Sequence, residues 1–276
     1  MTVVSFEEFS DVYNVALERV YAHWTPDMQD TLAQHCRSWS SDSFDFRQYL
    51  KQSAKRFYLA YQQLGNRPDA SSVCDVGGFW GVFAITLTEL GYQVTMTEAL
   101  QYYDGCFDSL FAAIRASGVS ILDCDMFAPE TQLEDQFDFV SIMAVMEHYP
   151  HSLKSFMNNI AALLHTQSLL YLEVPNIAYW HKRLRLLRGQ TPLADICDIY
   201  ESATPFIGHH HEFTMHELEQ LVEISGLQVL DRNCFNYSQS MSFAQHVLTA
   251  PIEAFAYLLV PHSREILSVL CEKPAA

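Results

Sequence analysis

The sequence predicts an α/β fold on a mostly parallel sheet, and two stretches carry that expectation. The first is Ser71–Glu98, SSVCDVGGFWGVFAITLTELGYQVTMTE. Ser72–Val76 is short, apolar and β-branched, Gly77, Gly78 and Gly81 follow it, and the almost wholly apolar Val82–Leu90 stops at Gly91. This reads as strand, glycine turn, buried helix and helix stop. Tyr92–Thr97 then alternates apolar with polar residues and ends on Glu98, so a second strand closes on an acid. The second stretch is Phe137–Met143, an apolar strand running into Ala144-Val145-Met146-Glu147-His148.

A strand that feeds a glycine turn and a helix start exposes backbone N–H groups to a ligand with nothing bulky in the way. A dinucleotide site would show G-x-G-x-x-G, but Phe79 and Val82 stand at the other two glycine positions after Gly77. The strand also ends on Asp75, a carboxylate poorly placed beside a pyrophosphate. A cationic cofactor without phosphate suits the turn better, as S-adenosylmethionine is with its sulfonium and ammonium groups. Glu98, on the second strand tip, suits a ribose diol.

On these residues the chain resembles the class I S-adenosylmethionine-dependent methyltransferases, whose first motif is acidic-x-G-x-G-x-G. Asp75-Val76-Gly77-Gly78-Phe79-Trp80-Gly81 matches at Asp75, Gly77 and Gly81, with Phe79 where the middle glycine is usual. Val145-Met146-Glu147-His148 matches a V-x-E-H stretch that follows the fourth strand in the small-molecule branch of that family. The resemblance implies a Rossmann-like, seven-stranded, mostly parallel sheet with an antiparallel last strand. It also implies cofactor contacts from Asp75, Gly77, Gly78, Phe79, Gly81 and Glu98, and places Ala144 and Val145 beside the sulfonium. An acid past the third strand holds the adenine amino group in this family while an apolar neighbour lines the ring. Asp125 and Met126 are the candidates, with Asp123 the competitor if the strand is shifted. The resemblance covers roughly residues 70–273.

The remaining elements follow in chain order. Ser5-Phe6-Glu7-Glu8 is a capping box opening a helical pattern, and further helical pieces run through Met28–Trp39 and Phe46–Leu64. Residues 1–65 are therefore expected to form a helical cap, either over the cofactor cleft or merely on the sheet edge, ahead of a methyltransferase domain at 66–276. Asp104–Ser117 places Phe107, Leu110, Phe111 and Ile114 on one helical face, and Val119–Leu122 is the third strand. Ser152–Leu164 has the crossover-helix spacing, Leu169–Val174 is a fifth strand, and Pro175 ends its pairing. Leu227–Phe235 and Glu265–Glu272 read as final strands, with Ser242–Leu259 partly helical between them.

From about 176 to 212 the strand–helix alternation is interrupted. An insertion at the carboxyl end of a central strand lies on the ligand-binding face of an open α/β sheet, so substrate specificity is expected there. It holds Lys182, Arg183, Arg185 and Arg188, which would meet an anionic group of the acceptor or form a solvated face with leucines packed inward. Gly208-His209-His210-His211-Glu212-Phe213-Thr214 is similar to a G-H-x-(H/R)-x-(F/Y)-T segment in glycan- and small-molecule-modifying members of the family. Three adjacent histidines invite a metal, but neighbouring side chains diverge, so at most two could share an ion without help from elsewhere; metal ligation is the minor alternative beside a general base, a substrate hydrogen bond and a polar pocket wall, and no metal is assigned. His148, His209 and His211 are the candidate general bases, because imidazole titrates near neutrality.

Composition narrows the classes. At 276 residues and 49% hydrophobic the chain can bury a large core, and a net charge of -17 argues against gripping nucleic-acid phosphates. Seven cysteines without a C-x-x-C pair read as thiols in a reducing compartment, and neither a membrane span nor a signal peptide is visible, so a cytoplasmic location is expected. The expected function is methyl transfer from S-adenosylmethionine to a small-molecule or sugar-type acceptor, on oxygen. The alternatives are transfer to nitrogen, or a cofactor- or partner-binding protein on the same fold without turnover.

Overall fold

The computed structural model describes residues 3–129, 131, 133–238, 254 and 257–275. Three helices come first, α1 (Phe6–Tyr21), α2 (Pro26–His35) and α3 (Phe46–Gln63). The capping box opens α1 as expected: the Ser5 hydroxyl accepts from the Glu8 N–H while the Glu8 carboxylate accepts from the Ser5 N–H. The helix expected over Met28–Trp39 is broken, because Cys36 is extended and only a single 3-10 turn, Arg37–Trp39, follows it.

The sheet then builds through β1 (Ser72–Val76), α4 (Val82–Glu89), β2 (Gln93–Glu98), α5 (Asp108–Ala116), β3 (Ser120–Asp123), β4 (Phe137–Met143), α6 (Lys154–Ala162) and β5 (Leu164–Pro175). Two short helices, α7 (Trp180–Leu187) and α8 (Ile196–Glu201), occupy the insertion, and α9 (Met215–Ile224), β6 (Gln228–Phe235) and β7 (Ile266–Glu272) complete the order. The expected helical stretch within Ser242–Leu259 lies almost wholly outside the described residues.

The strand order is β3-β2-β1-β4-β5-β7-β6, with β7 antiparallel to both neighbours and the other pairs parallel. This is the expected Rossmann-like sheet. The order reverses between β1 and β4, so their carboxyl ends splay outward and leave a crevice, the usual ligand position in such sheets. Residues of α4 from Val82 to Leu87 are all buried, and Thr86 silences its hydroxyl on the Val82 carbonyl at 2.7 Å. One face of the sheet packs against α1, α3, α4 and α5, and the other against α6 and α9. The Phe57 and Phe83 rings, stacked 5.0 Å apart, join α3 to α4.

Three boundaries differ from the expected ones: the helix expected over Asp104–Ser117 is a 3-10 turn, Gly105–Phe107, followed by α5, so Phe107 precedes the α-helix. The chain enters β5 at Leu164, which pairs with Phe137, so α6 ends earlier than the periodicity suggested. β3 lies one residue later than expected, which puts Asp123 in the ladder opposite Glu98.

Candidate active site

The crevice opens into a cavity of about 1410 Å³. A single small-molecule site is typically ~300–1,000 Å³, so there is room for two ligands side by side. One wall comes from the N-terminal helices, through Leu32, Trp39, Phe46 and Arg56 among others, and the opposite wall from the insertion, through Ile207–His210.

At one end lies the glycine turn. Gly77 and Gly81 have φ of +65° and +67°, whereas Phe79 does not need a left-handed backbone. A side chain is therefore tolerated at the middle position of the motif, and the Phe79 ring stacks on Tyr103 at 5.2 Å. A Cβ on Gly78 would lie 2.4 Å from Asp75 Oδ2. Gly81 does not line the cavity; a Cβ there would strike Ile114 at 2.7 Å, so it serves the packing of α4 on α5.

Asp75 is buried and accepts from the Ser141 hydroxyl at 2.7 Å; burial pushes its carboxyl up to about 7 against that bond and the Arg56 charge. Glu98 accepts from the Tyr103 hydroxyl at 3.0 Å, while its Oε1 is buried without a hydrogen-bond partner among the described residues. Burial raises Glu98 to about 8, Tyr103 opposing and the Asp75 charge reinforcing the shift. Past β3, Asp125 and Met126 line the cavity and Asp123 does not. Asp123 accepts from the Leu100 N–H, whereas Asp125 is bound by the Phe127 N–H and the Tyr102 hydroxyl.

At the other end stand Glu147, His148 and His209. The tip of β4 turns through Ala144, in a left-handed conformation (φ +57°) and held by its N–H on the Glu173 carbonyl at 3.0 Å. That turn delivers Glu147 and His148 to the cavity. Glu147 is fully buried and, among the described residues, neither carboxylate oxygen has a hydrogen-bond partner; burial raises it to about 7 against the pull of His209. His148 Nδ1 lies 2.7 Å from the Ile207 carbonyl oxygen, and its ring meets His209 edge-on at 4.9 Å. Burial, aided by His209, lowers His148 to about 4 and keeps it neutral. His209 Nδ1 bonds Glu212 Oε1 at 2.9 Å, and Lys182 holds the other Glu212 oxygen. Burial works against the Glu212 charge, but His209 and Lys182 outweigh it and hold the carboxyl below its ordinary range.

His211 does not join this group. It is exposed, lies outside the cavity and faces Glu217 at 3.7 Å, because the irregular segment bends after His210 and does not keep the strand alternation that would put His211 beside His209. The basic helix is also outside: none of 181–188 lines the cavity, Arg183 bonds the Ala178 carbonyl, and Leu186 and Leu187 are exposed instead of packed inward.

Sequence reading passed over two residues, Glu147 as a side chain and Arg56. Arg56 reaches from α3 to the tip of β5, where its Nη2 lies 2.5 Å from Glu173 Oε1 with both groups buried. An arginine at the buried edge of a tyrosine-rich helix was the available signal.

With the crevice, its glycine turn and its acids in place, the relatives can be weighed. The profile of a family described as methyltransferase domain matches residues 45–232, more than half of the chain, and the chain belongs to that family. It is a class I S-adenosylmethionine-dependent methyltransferase. The match begins in front of α3, earlier than the residues that carried the motif resemblance. Among solved structures, the chain is similar to the 1,6-didemethyltoxoflavin-N1-methyltransferase of Burkholderia thailandensis, crystallised with bound 1,6-didemethyltoxoflavin and S-adenosylhomocysteine. That similarity has a TM-score of 0.54 at 15% identity over 91% of this chain and 92% of that one. It is also similar to the N-methyltransferase NodS of Bradyrhizobium japonicum with S-adenosylhomocysteine, TM-score 0.52 at 12% identity, covering 90% and 99%. A third, a methyltransferase of Methanosarcina mazei, has a TM-score of 0.51 at 18% identity, covering 78% and 98%. No curated protein matches the chain in sequence. Among the described residues no helix is long and apolar enough to cross a membrane.

Proposed function

We propose that the protein methylates a hydroxyl of a small-molecule or sugar-type acceptor, with S-adenosylmethionine at the glycine-turn end of the cavity and the acceptor at the Glu147–His148–His209 end. The observation that carries this reading is one continuous cavity joining two chemically distinct ends. The donor set of the first end fits the cofactor. Glu98 Oε1 has a lone pair waiting for a diol, and Asp75 is a buried acid that a cationic ligand would help to ionise. Gly77, Gly78 and Phe79 supply backbone between these acids, Asp125 and Met126 lie where an adenine would sit, and Ala144 and Val145 face the middle.

Bound there, S-adenosylmethionine presents a methyl group on a sulfonium that leaves as a neutral thioether. What the chain must supply is alignment and dryness, and alignment alone can lower a barrier by about 7–11 kcal/mol. A hydroxyl acceptor also has to lose its proton. The Nε2 lone pairs of His148 and His209 and the partnerless Glu147 carboxylate are the groups positioned to draw it off, and Glu212 orients His209 for that task. The N-terminal helices act as a cap over the cavity and the 176–212 insertion shapes the acceptor end. Seven unpaired cysteines suit a reducing, cytoplasmic setting.

A second reading, transfer to an amine, is favoured by the same partnerless carboxylate, which would hold an ammonium group before it loses its proton. The deciding experiment supplies methyl-labelled S-adenosylmethionine with paired hydroxyl and amine acceptors and locates the label in the product. Label on oxygen supports the proposal. Label only on nitrogen would replace it by the second reading.

A further inference from the structure

We propose that Glu147, His148 and His209 form a binding site for one divalent first-row transition-metal ion. One ligand atom from each residue lies within 4.8 Å of the others. Ligands of one tetrahedral ion with bonds of ~2.1 Å stand about 3.4 Å apart, so side-chain shifts that close the widest pair by up to roughly 1.4 Å complete the set.

Both imidazoles are prepared for ligation at Nε2. Nδ1 of His148 faces a carbonyl and Nδ1 of His209 faces a carboxylate, and since both partners only accept, both Nδ1 atoms carry the proton. Such outer partners fix tautomer and ring direction in metal-binding histidines, and Lys182 anchors the Glu212 carboxylate in turn. The backbone adds a tie, because the His210 N–H donates to the Glu147 carbonyl at 2.7 Å and so fastens the two ligand-bearing segments together.

Glu147 supplies the second, independent sign. It is 0% exposed and both carboxylate oxygens lack a partner among the described residues, an arrangement that costs free energy unless a cation answers it. Two imidazoles with one carboxylate suit zinc, iron(II), cobalt(II) or manganese(II) better than magnesium or calcium, which prefer all-oxygen sites. All three residues line the cavity, so the remaining coordination positions face the acceptor space. Ligation is argued from this geometry alone; an ion held here would occupy the lone pairs that the methyl-transfer reading above uses as bases, and would then assist the acceptor by lowering the pKa of a bound hydroxyl.

The test uses the full chain, stripped by a chelator, dialysed, and titrated with Zn²⁺ and in parallel with Co²⁺ without acceptor. One ion per chain is expected at micromolar affinity, with visible absorption bands for the Co²⁺ form. Glu147→Gln and His209→Ala should each weaken binding at least about tenfold, while His211→Ala leaves it unchanged. Binding of S-adenosylhomocysteine checks that each variant is folded; if Glu147→Gln is not, His209→Ala decides. No micromolar binding by the folded wild type, or binding that survives the informative substitutions, overturns the site. Absent metal affinity with methyl transfer to oxygen would remove only the metal, and metal binding with transfer to nitrogen would remove only the hydroxyl reading.

Discussion

Asp75 and Glu98 meet the cavity as acids that their surroundings keep from ionising, which ties cofactor affinity to pH. Ser141 and Arg56 face Asp75, and Tyr103, the Phe79 N–H and the Asp75 charge face Glu98. A sulfonium or ammonium nearby favours the ionised forms, so affinity for S-adenosylmethionine should rise as pH increases toward about 8 and fall on acidification. Calorimetry across that range checks the direction, and a flat profile would uncouple these acids from the ligand. Glu98→Ala removes the open acceptor and should weaken cofactor binding roughly 10- to 150-fold, the loss of about 1.5–3 kcal/mol for hydrogen bonds to a charged group. The acids at both strand tips were legible because a strand pattern fixes where its last residue points. The division among the histidines was not: His209 and His211 stand two apart, where a regular strand would turn both the same way, and only the bent, irregular backbone sends one inward and the other to solvent.

Among elements, the joint between α4 and α5 depends on Gly81, whose positive φ and contact with Ile114 leave no space for a methyl group. Gly81→Ala should destabilise the fold by about 1–3 kcal/mol in denaturant unfolding, the usual cost of a strained left-handed residue. The joint between α3 and β5 depends on the Arg56–Glu173 pair. Arg56→Met leaves a buried carboxylate alone and should cost about 3–5 kcal/mol, and adding Glu173→Leu should restore much of that. A double variant as unstable as the single one would show that the pair is not the connection. The helices themselves were readable from apolar spacing and capping boxes. Their pairing was not, because the partner of Arg56 lies far along the chain and nothing local to α3 indicates it.

For the whole molecule, the buried acids link stability to pH. Asp75 rises from 3.8 to about 7 and Glu98 from 4.5 to about 8 in the folded chain. Between these limits the folded state holds protons that the unfolded state has released, so the stability of the free protein should decline as pH rises from about 5 to 8. Thermal unfolding with and without S-adenosylhomocysteine measures this. The decline should persist in the free protein and be offset by ligand, and a midpoint that climbs over that interval would contradict it. The overall topology was the most legible feature, since one glycine-turn motif and one strand-tip motif at the correct distance leave few arrangements of the strands between them. The extent of the cavity was least legible, because its walls come from helices at one end of the chain and an insertion near the other.

The placement of β7 between β5 and β6 bears on how the chain matures while it is being made. β6 emerges from the ribosome before β7, yet β7 is its neighbour in the sheet, and the outer edge of β5 waits for the same strand. At ~5–20 residues per second, the interval from the end of β6 to the start of β7 leaves two β-edges unpaired for roughly 2–6 s. During synthesis the nascent chain therefore passes through a stage in which five of the seven strands can pair while the outer edge of β5 and the whole of β6 are exposed to any neighbouring strand, a moment that chaperone capture or slow translation near residue 235 would govern.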